Sequence, residues 1–118
     1  MKSQRDYLLY LDDMTKAIRS IQEFLAGVEF SSFISNQMMR DAVVRNIEII
    51  GEAARKIPLS VQDQYPEIPW KQMYIMRNII AHEYFGIDYD VVWKIARDYL
   101  PKNLADLEKV IETENKKR

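Results

Sequence analysis

Arg77 and His82 lie five residues apart in the run Arg77-Asn78-Ile79-Ile80-Ala81-His82-Glu83-Tyr84, and together they offer an anion clamp and a proton carrier. His82 is the only histidine in 118 residues, so it is the one side chain whose ordinary pKa lies near neutrality. Arg77 is permanently charged, and its planar fork suits phosphate or carboxylate rather than proton transfer. There is no cysteine and no second histidine to build a common transition-metal site. The carboxylate pairs Asp12 with Asp13 and Glu48 with Glu52 read as solvated faces or subunit contacts. The chemistry these residues point to is RNA or nucleotide chemistry with no metal and no cofactor.

The rest of the composition is that of a folded domain. Hydrophobic residues make up 47% and charged residues 30%, which argues against disorder. The length suits a single domain over residues 1–118, with a basic tail, 113–118, expected to fray. The absence of cysteine fits a reducing cytoplasm, and no apolar stretch behind Met1–Asp6 resembles a signal peptide. A net charge of −1 counts against a broad basic surface for duplex nucleic acid, though cutting one flexible phosphodiester does not require such a surface.

With three glycines and four prolines as punctuation, the patterns between them are helical. Leu8, Leu11, Met14, Ile18, Ile21, Leu25 and Val28 mark one long amphipathic helix ending near Gly27. Phe30 to Ile34 read as a loop, with Ser35 or Asn36 capping a second helix. That helix carries Met39, Val43, Ile47, Ile50, Ala54 and Ile57 on one stripe and stops at Pro58. Gly51 within it costs about 1 kcal/mol relative to alanine and marks a close helix approach. Ser60 to Gln64 form a short turn, with Ser60 and Asp63 as a weak capping box. Pro69 opens a third helix from Trp70 to about Tyr84, with Gly86 as its C-cap. Asp88 or Asp90 caps a fourth helix through Leu100, and Pro101 kinks it or opens a fifth. The expected fold is all-α, an antiparallel bundle of four main helices plus short turns.

On a wheel of the third helix, Trp70, Met73, Tyr74, Ile80, Ala81 and Tyr84 fall within roughly 60° of Arg77, while Ile75 and Ile79 lie opposite. An arginine inside an apolar arc must meet a carboxylate, a phosphate or solvent. Asp41, Glu48 and Glu52 on the second helix are the carboxylates within reach. His82 near the helix end is open to two roles, a C-cap donor or an acid–base group whose imidazolium form the helix dipole and Glu83 favour. Arg77 and His82 are about 140° and roughly 7.5 Å apart on an ideal helix. For both to act on one phosphate, the helix end deforms or a two-fold axis brings up a second copy. The second apolar face favours the latter, a homodimer with a composite cleft.

The Arg77–four residues–His82–one residue–Tyr84 pattern resembles the HEPN superfamily, specifically its HepT-like toxin branch. The flanks add to the resemblance: Val44 to Ala54 in the second helix, the connector Tyr65-Pro66-Glu67-Ile68-Pro69-Trp70, and Phe85-Gly86-Ile87-Asp88 with Val91-Val92-Trp93. The likeness covers about residues 5–112. It implies an all-helical homodimer acting as a metal-independent endoribonuclease toxin on RNA, with Arg77 and His82 as the catalytic pair and Asn78 supporting. It also implies a cognate MntA-like nucleotidyltransferase antitoxin that transfers AMP to Tyr84. The alternative is a non-catalytic dimeric helical module that binds a nucleotidyltransferase or a nucleotide.

Overall fold

The computed structural model describes residues 5–81 and 86–118, the side chains of 79–81 excepted. Among these residues every regular element is helical. In chain order they are α1 (Tyr7–Leu25), α2 (Phe30–Ser35), α3 (Gln37–Arg55), α4 (Leu59–Gln64), α5 (Trp70–Ala81), α6 (Tyr89–Lys94), a π-helical turn (Ile95–Tyr99) and α7 (Leu100–Lys116). α3 packs against α1 on one side and α5 on the other, and α7 closes against α1. The apolar stripes become the core: Leu11, Met14, Ile18, Ile21, Val43, Ile47, Ile50 and Leu107 are fully enclosed. No described helix is long and apolar enough to cross a membrane.

Side-chain caps set the helix starts. The Asn36 carboxamide oxygen accepts from the Met39 amide at 3.0 Å, and Asp88 accepts from the amides of Asp90 and Val91. Gly86 has a φ of +80°, a left-handed backbone that glycine adopts without strain; the end of the helix it was expected to cap lies outside the described residues.

Three expectations need correction. Residues 30–35 are helical rather than a loop, because Phe33 is wholly buried and meets the rings of Trp93 and Tyr89 at 5.2 and 6.2 Å. Tertiary burial overrides the weak local pattern there. The short helix α4 begins after Pro58 without a side-chain cap, so Ser60 and Asp63 form no capping box. Of the two roles open to Pro101, the structure takes the second: it opens a further helix. It lies in the first turn of α7, just beyond a π turn in which the Leu100 amide bonds the Ile95 carbonyl, five residues back. Widening the turn accommodates a ring that would clash with the α-helical ladder.

The third correction concerns the tail. α7 runs to Lys116, and Arg118 pairs with Asp6 at 2.5 Å. The anchor is Glu114, only 3% exposed. It accepts hydrogen bonds from the Tyr7 hydroxyl and, at 2.5 Å, from the Tyr65 hydroxyl, and pairs with Lys117 at 2.8 Å. Those contacts bind the start of α1, the α4–α5 connector and the end of α7 in one knot. The carboxyl is held down to about 2, first by the Lys117 hydrogen bond and then by Tyr65 and Tyr7, against the cost of burial. The hydrogen bond that Tyr65 donates to it also pushes that phenol up, with burial adding to the effect.

A folded-state pKa below the unfolded one means that the native state binds fewer protons, so Glu114 stabilises above the ordinary 4.5 and ceases to do so as pH falls through about 2. The contribution is on the order of 3 kcal/mol. Urea denaturation of Glu114→Gln should show a deficit that is full at neutral pH and closes toward pH 2. A deficit of constant size across that range would contradict the ionic role.

Candidate functional site

The root of Arg77 is fixed by a glycine. A Cβ built on Gly51 would stand 3.0 Å from Arg77 Cβ and 3.1 Å from the Met73 carbonyl oxygen. α3 and α5 therefore touch here backbone to backbone, as expected for Gly51, and no larger residue fits without parting them. Trp70 and Met73 on the same side of α5 are buried, as expected for the first part of the apolar arc; the side chains of Ile80, Ala81 and Tyr84 lie outside the described residues. Arg77 leaves it sideways along α3.

There it meets Glu52, the residue after the contact glycine. Arg77 Nη1 donates to Glu52 Oε2 at 2.6 Å, while Arg55 Nη2 donates to Oε1 at 3.1 Å. Of the three carboxylates within reach by sequence, the structure selects Glu52. Its carboxyl is held below the usual range, first by the Arg55 hydrogen bond, with the charges of Arg77 and Lys56 adding to this against desolvation. The pair is not buried: the Arg77 and Glu52 side chains keep 42% and 40% of their exposure. An ion pair that open contributes about 0–1 kcal/mol, so an incoming anion can compete for the guanidinium.

The opening it faces is a cavity of about 430 Å³ between α1, α3 and α5. Arg5, Tyr10, Arg45, Glu48 and Lys56 line it together with Arg77. Tyr10 and the flanking cations did not stand out in the sequence. The signal available was the spacing of Arg45, Glu52 and Lys56, which puts them on one stripe of α3.

Asn78 follows Arg77 on α5 and is exposed. His82 and Tyr84 lie outside the described residues, so the distance from Arg77 to either is not part of the geometry. Ile75, on the second apolar face of α5, is 38% exposed. Three of the four carboxylates considered as metal ligands are engaged otherwise: Asp12 pairs with Lys16, Asp13 with Arg5, and Glu52 with two arginines.

This helical frame, with an arginine rooted on a glycine contact, coincides with a family-level match. Residues 14–113 fit the family described as ribonuclease HepT-like, and the chain belongs to that family. A candidate RNase of Methanocaldococcus jannaschii is 42% identical over 106 residues, 90% of this chain and 97% of its own length. A candidate ribonuclease HepT of Thermococcus cleftensis is 38% identical over 107 residues, 91% of this chain and 97% of its own. A protein of Methanocaldococcus jannaschii named as both a gamma-glutamylcyclotransferase and a candidate RNase is 32% identical over 98% of this chain, which matches 52% of that longer protein. No solved structure matches.

Gly51→Val should destabilise the protein by about 1–3 kcal/mol despite valine's better helix propensity, since neither Arg77 Cβ nor the Met73 carbonyl can move without shifting α5. Thermal or urea unfolding reads this directly. An unchanged midpoint would show that the helices have slack at this contact.

Proposed function

We propose that this chain is a metal-independent endoribonuclease toxin working as a homodimer, with Arg77 and His82 as its catalytic pair. Family membership supports ribonuclease activity. The observation that carries the role of Arg77 is its half-open guanidinium at the mouth of a cavity, tied to Glu52 through Nη1.

RNA carries its own nucleophile, the 2′-hydroxyl. The 2′-oxygen loses its proton and bonds to the adjacent phosphorus as the bond from phosphorus to the 5′-oxygen breaks. The products are a 2′,3′-cyclic phosphate and a 5′-hydroxyl. Arg77 neutralises the charge that gathers on the non-bridging oxygens, exchanging Glu52 for phosphate as it does so. His82 moves a proton to or from the reacting oxygens, with copies from two subunits dividing the acid and base roles, and Asn78 supports the arginine.

Control falls to Tyr84. A cognate nucleotidyltransferase antitoxin directs the phenol oxygen to the α-phosphorus of ATP, pyrophosphate leaves, and AMP remains on the tyrosine. The added phosphate charge then repels RNA and competes for Arg77. These steps place the pair in the cytoplasm, where RNA and ATP are at hand.

One observation favours a second reading, a non-catalytic dimeric module that binds a nucleotidyltransferase or a nucleotide: Arg77 already has an internal carboxylate partner. Variants separate the two. Arg77→Lys keeps the charge and loses the fork, and should lower RNA cleavage at least tenfold, about 1.4 kcal/mol of transition-state stabilisation. His82→Ala should abolish cleavage with helical content and dimer mass unchanged. Full activity in His82→Ala would discard the catalytic pair. Incubation with the antitoxin and ATP should add AMP at Tyr84, and AMP found elsewhere on the chain would remove that control.

A further inference from the structure

The cavity beside Arg77 is larger than one phosphate requires, and its other cations are arranged along a line. Arg45, Glu52 and Lys56 fall on one stripe of α3, the outer two roughly 16 Å apart by helix rise. The Gly51 contact that roots Arg77 lies near the middle of that interval, so a cation flanks Arg77 on each side. Lys56 is close enough for its charge to be felt at Glu52. Its Nζ stands 5.7 Å from the centre of the Tyr10 ring, which also carries the Arg5 guanidinium at 4.6 Å. Tyr10 on α1 thus holds two cations against the groove wall.

Charge pairing divides these residues. Arg5 is neutralised by Asp13 at 2.6 Å. Arg45 and Lys56 have no carboxylate within ion-pair distance among the described residues, and both are exposed. Two accessible cations on either side of a phosphate clamp, along a groove wall, match an extended anion with repeating charges better than a single small anion. Glu48 sits in the same groove and opposes that field.

We propose that Arg45 and Lys56 grip the phosphates of single-stranded RNA on either side of the linkage held at Arg77, making the α1–α3 groove the strand-binding track of this protein. The proposal rests on the ribonuclease reading for the nature of the anion. Arg45 and Lys56 are binding residues that lie away from the reacting atoms. The chain's overall charge of −1 is no obstacle, because the track needs only a local excess of cations.

The test measures binding of a fluorescent 2′-O-methyl oligouridine, which cannot be cut, across a series of salt concentrations, alongside cleavage of the matching RNA. Arg45→Gln and Lys56→Gln remove charge from exposed positions, and circular dichroism and dimer mass confirm that the fold survives. Each substitution should weaken binding severalfold and lower the slope of log affinity against log salt by about 0.7, the single-strand value for one phosphate contact. The loss in cleavage should appear as a raised KM. Glu48→Gln should act in the opposite direction and tighten binding. A wild-type protein that cuts RNA, with the two glutamine variants binding at wild-type affinity and salt slope, overturns the track and leaves the ribonuclease reading standing. Binding that depends on Arg45 and Lys56 without any cleavage upholds the track and removes the ribonuclease reading. Absence of RNA binding by the wild type removes both.

Discussion

The contact of α3 with α5 at Gly51 is the constraint on which the site depends. Because the helices meet with no room for a Cβ at residue 51, Arg77 starts from the surface of α3 rather than at a side chain's distance from it. The next residue, Glu52, then lies within a single hydrogen bond of the guanidinium, and the groove that Arg45 and Lys56 line runs past the same point. A bulkier residue at 51 would separate the helices and lengthen every one of these relations. The helix accepts a glycine's cost of about 1 kcal/mol for that geometry.

The chemistry that stabilises the fold and the chemistry offered to a ligand are kept apart. Glu114 is buried, fully hydrogen-bonded and strongly acidic, and it joins segments that are 107 and 49 residues distant in sequence. Satisfied in this way, a buried carboxylate contributes to the fold and is closed to exchange. Glu52 is its opposite. It is half exposed and shared by two arginines, so its pairing with Arg77 is open to competition from ions in solvent. The bulk charge of the chain conceals this difference. Near neutrality overall, the protein still gathers four cations around one groove.

Much of this was legible in the sequence because it is local. Helical periodicity marks the core stripes of α1 and α3, Asn36 and Asp88 are the right residues for caps, and a glycine within a helix requires a neighbour's backbone close by. What depended on distant partners was not legible. Residues 30–35 are helical because Phe33 meets aromatic rings some sixty residues away in the chain. The tail is ordered by one tyrosine from α1 and one from the α4–α5 connector, and without them a run of lysine and arginine reads as solvated. The reach of Arg77 admitted three carboxylates, and only the packing of α5 on α3 selects Glu52. The cations of the groove were passed over singly, since each is an ordinary surface charge until α1 lies alongside. His82 and Tyr84 enter through the sequence pattern and the family likeness alone.

The central claim is that the Arg77 guanidinium, and no other group, supplies the charge that lets RNA break at this site. Arg77→Ala removes it and leaves an open space beside Glu52, into which a small cation of the same shape can diffuse. The direct measurement is RNA cleavage by Arg77→Ala in chelator, with millimolar guanidinium added and with an equal concentration of ammonium in its place. The account predicts that the variant is inactive alone, that guanidinium restores cutting in proportion to its concentration while ammonium restores far less, and that the products end in a 2′,3′-cyclic phosphate. Wild-type cutting by the unrescued variant would contradict it.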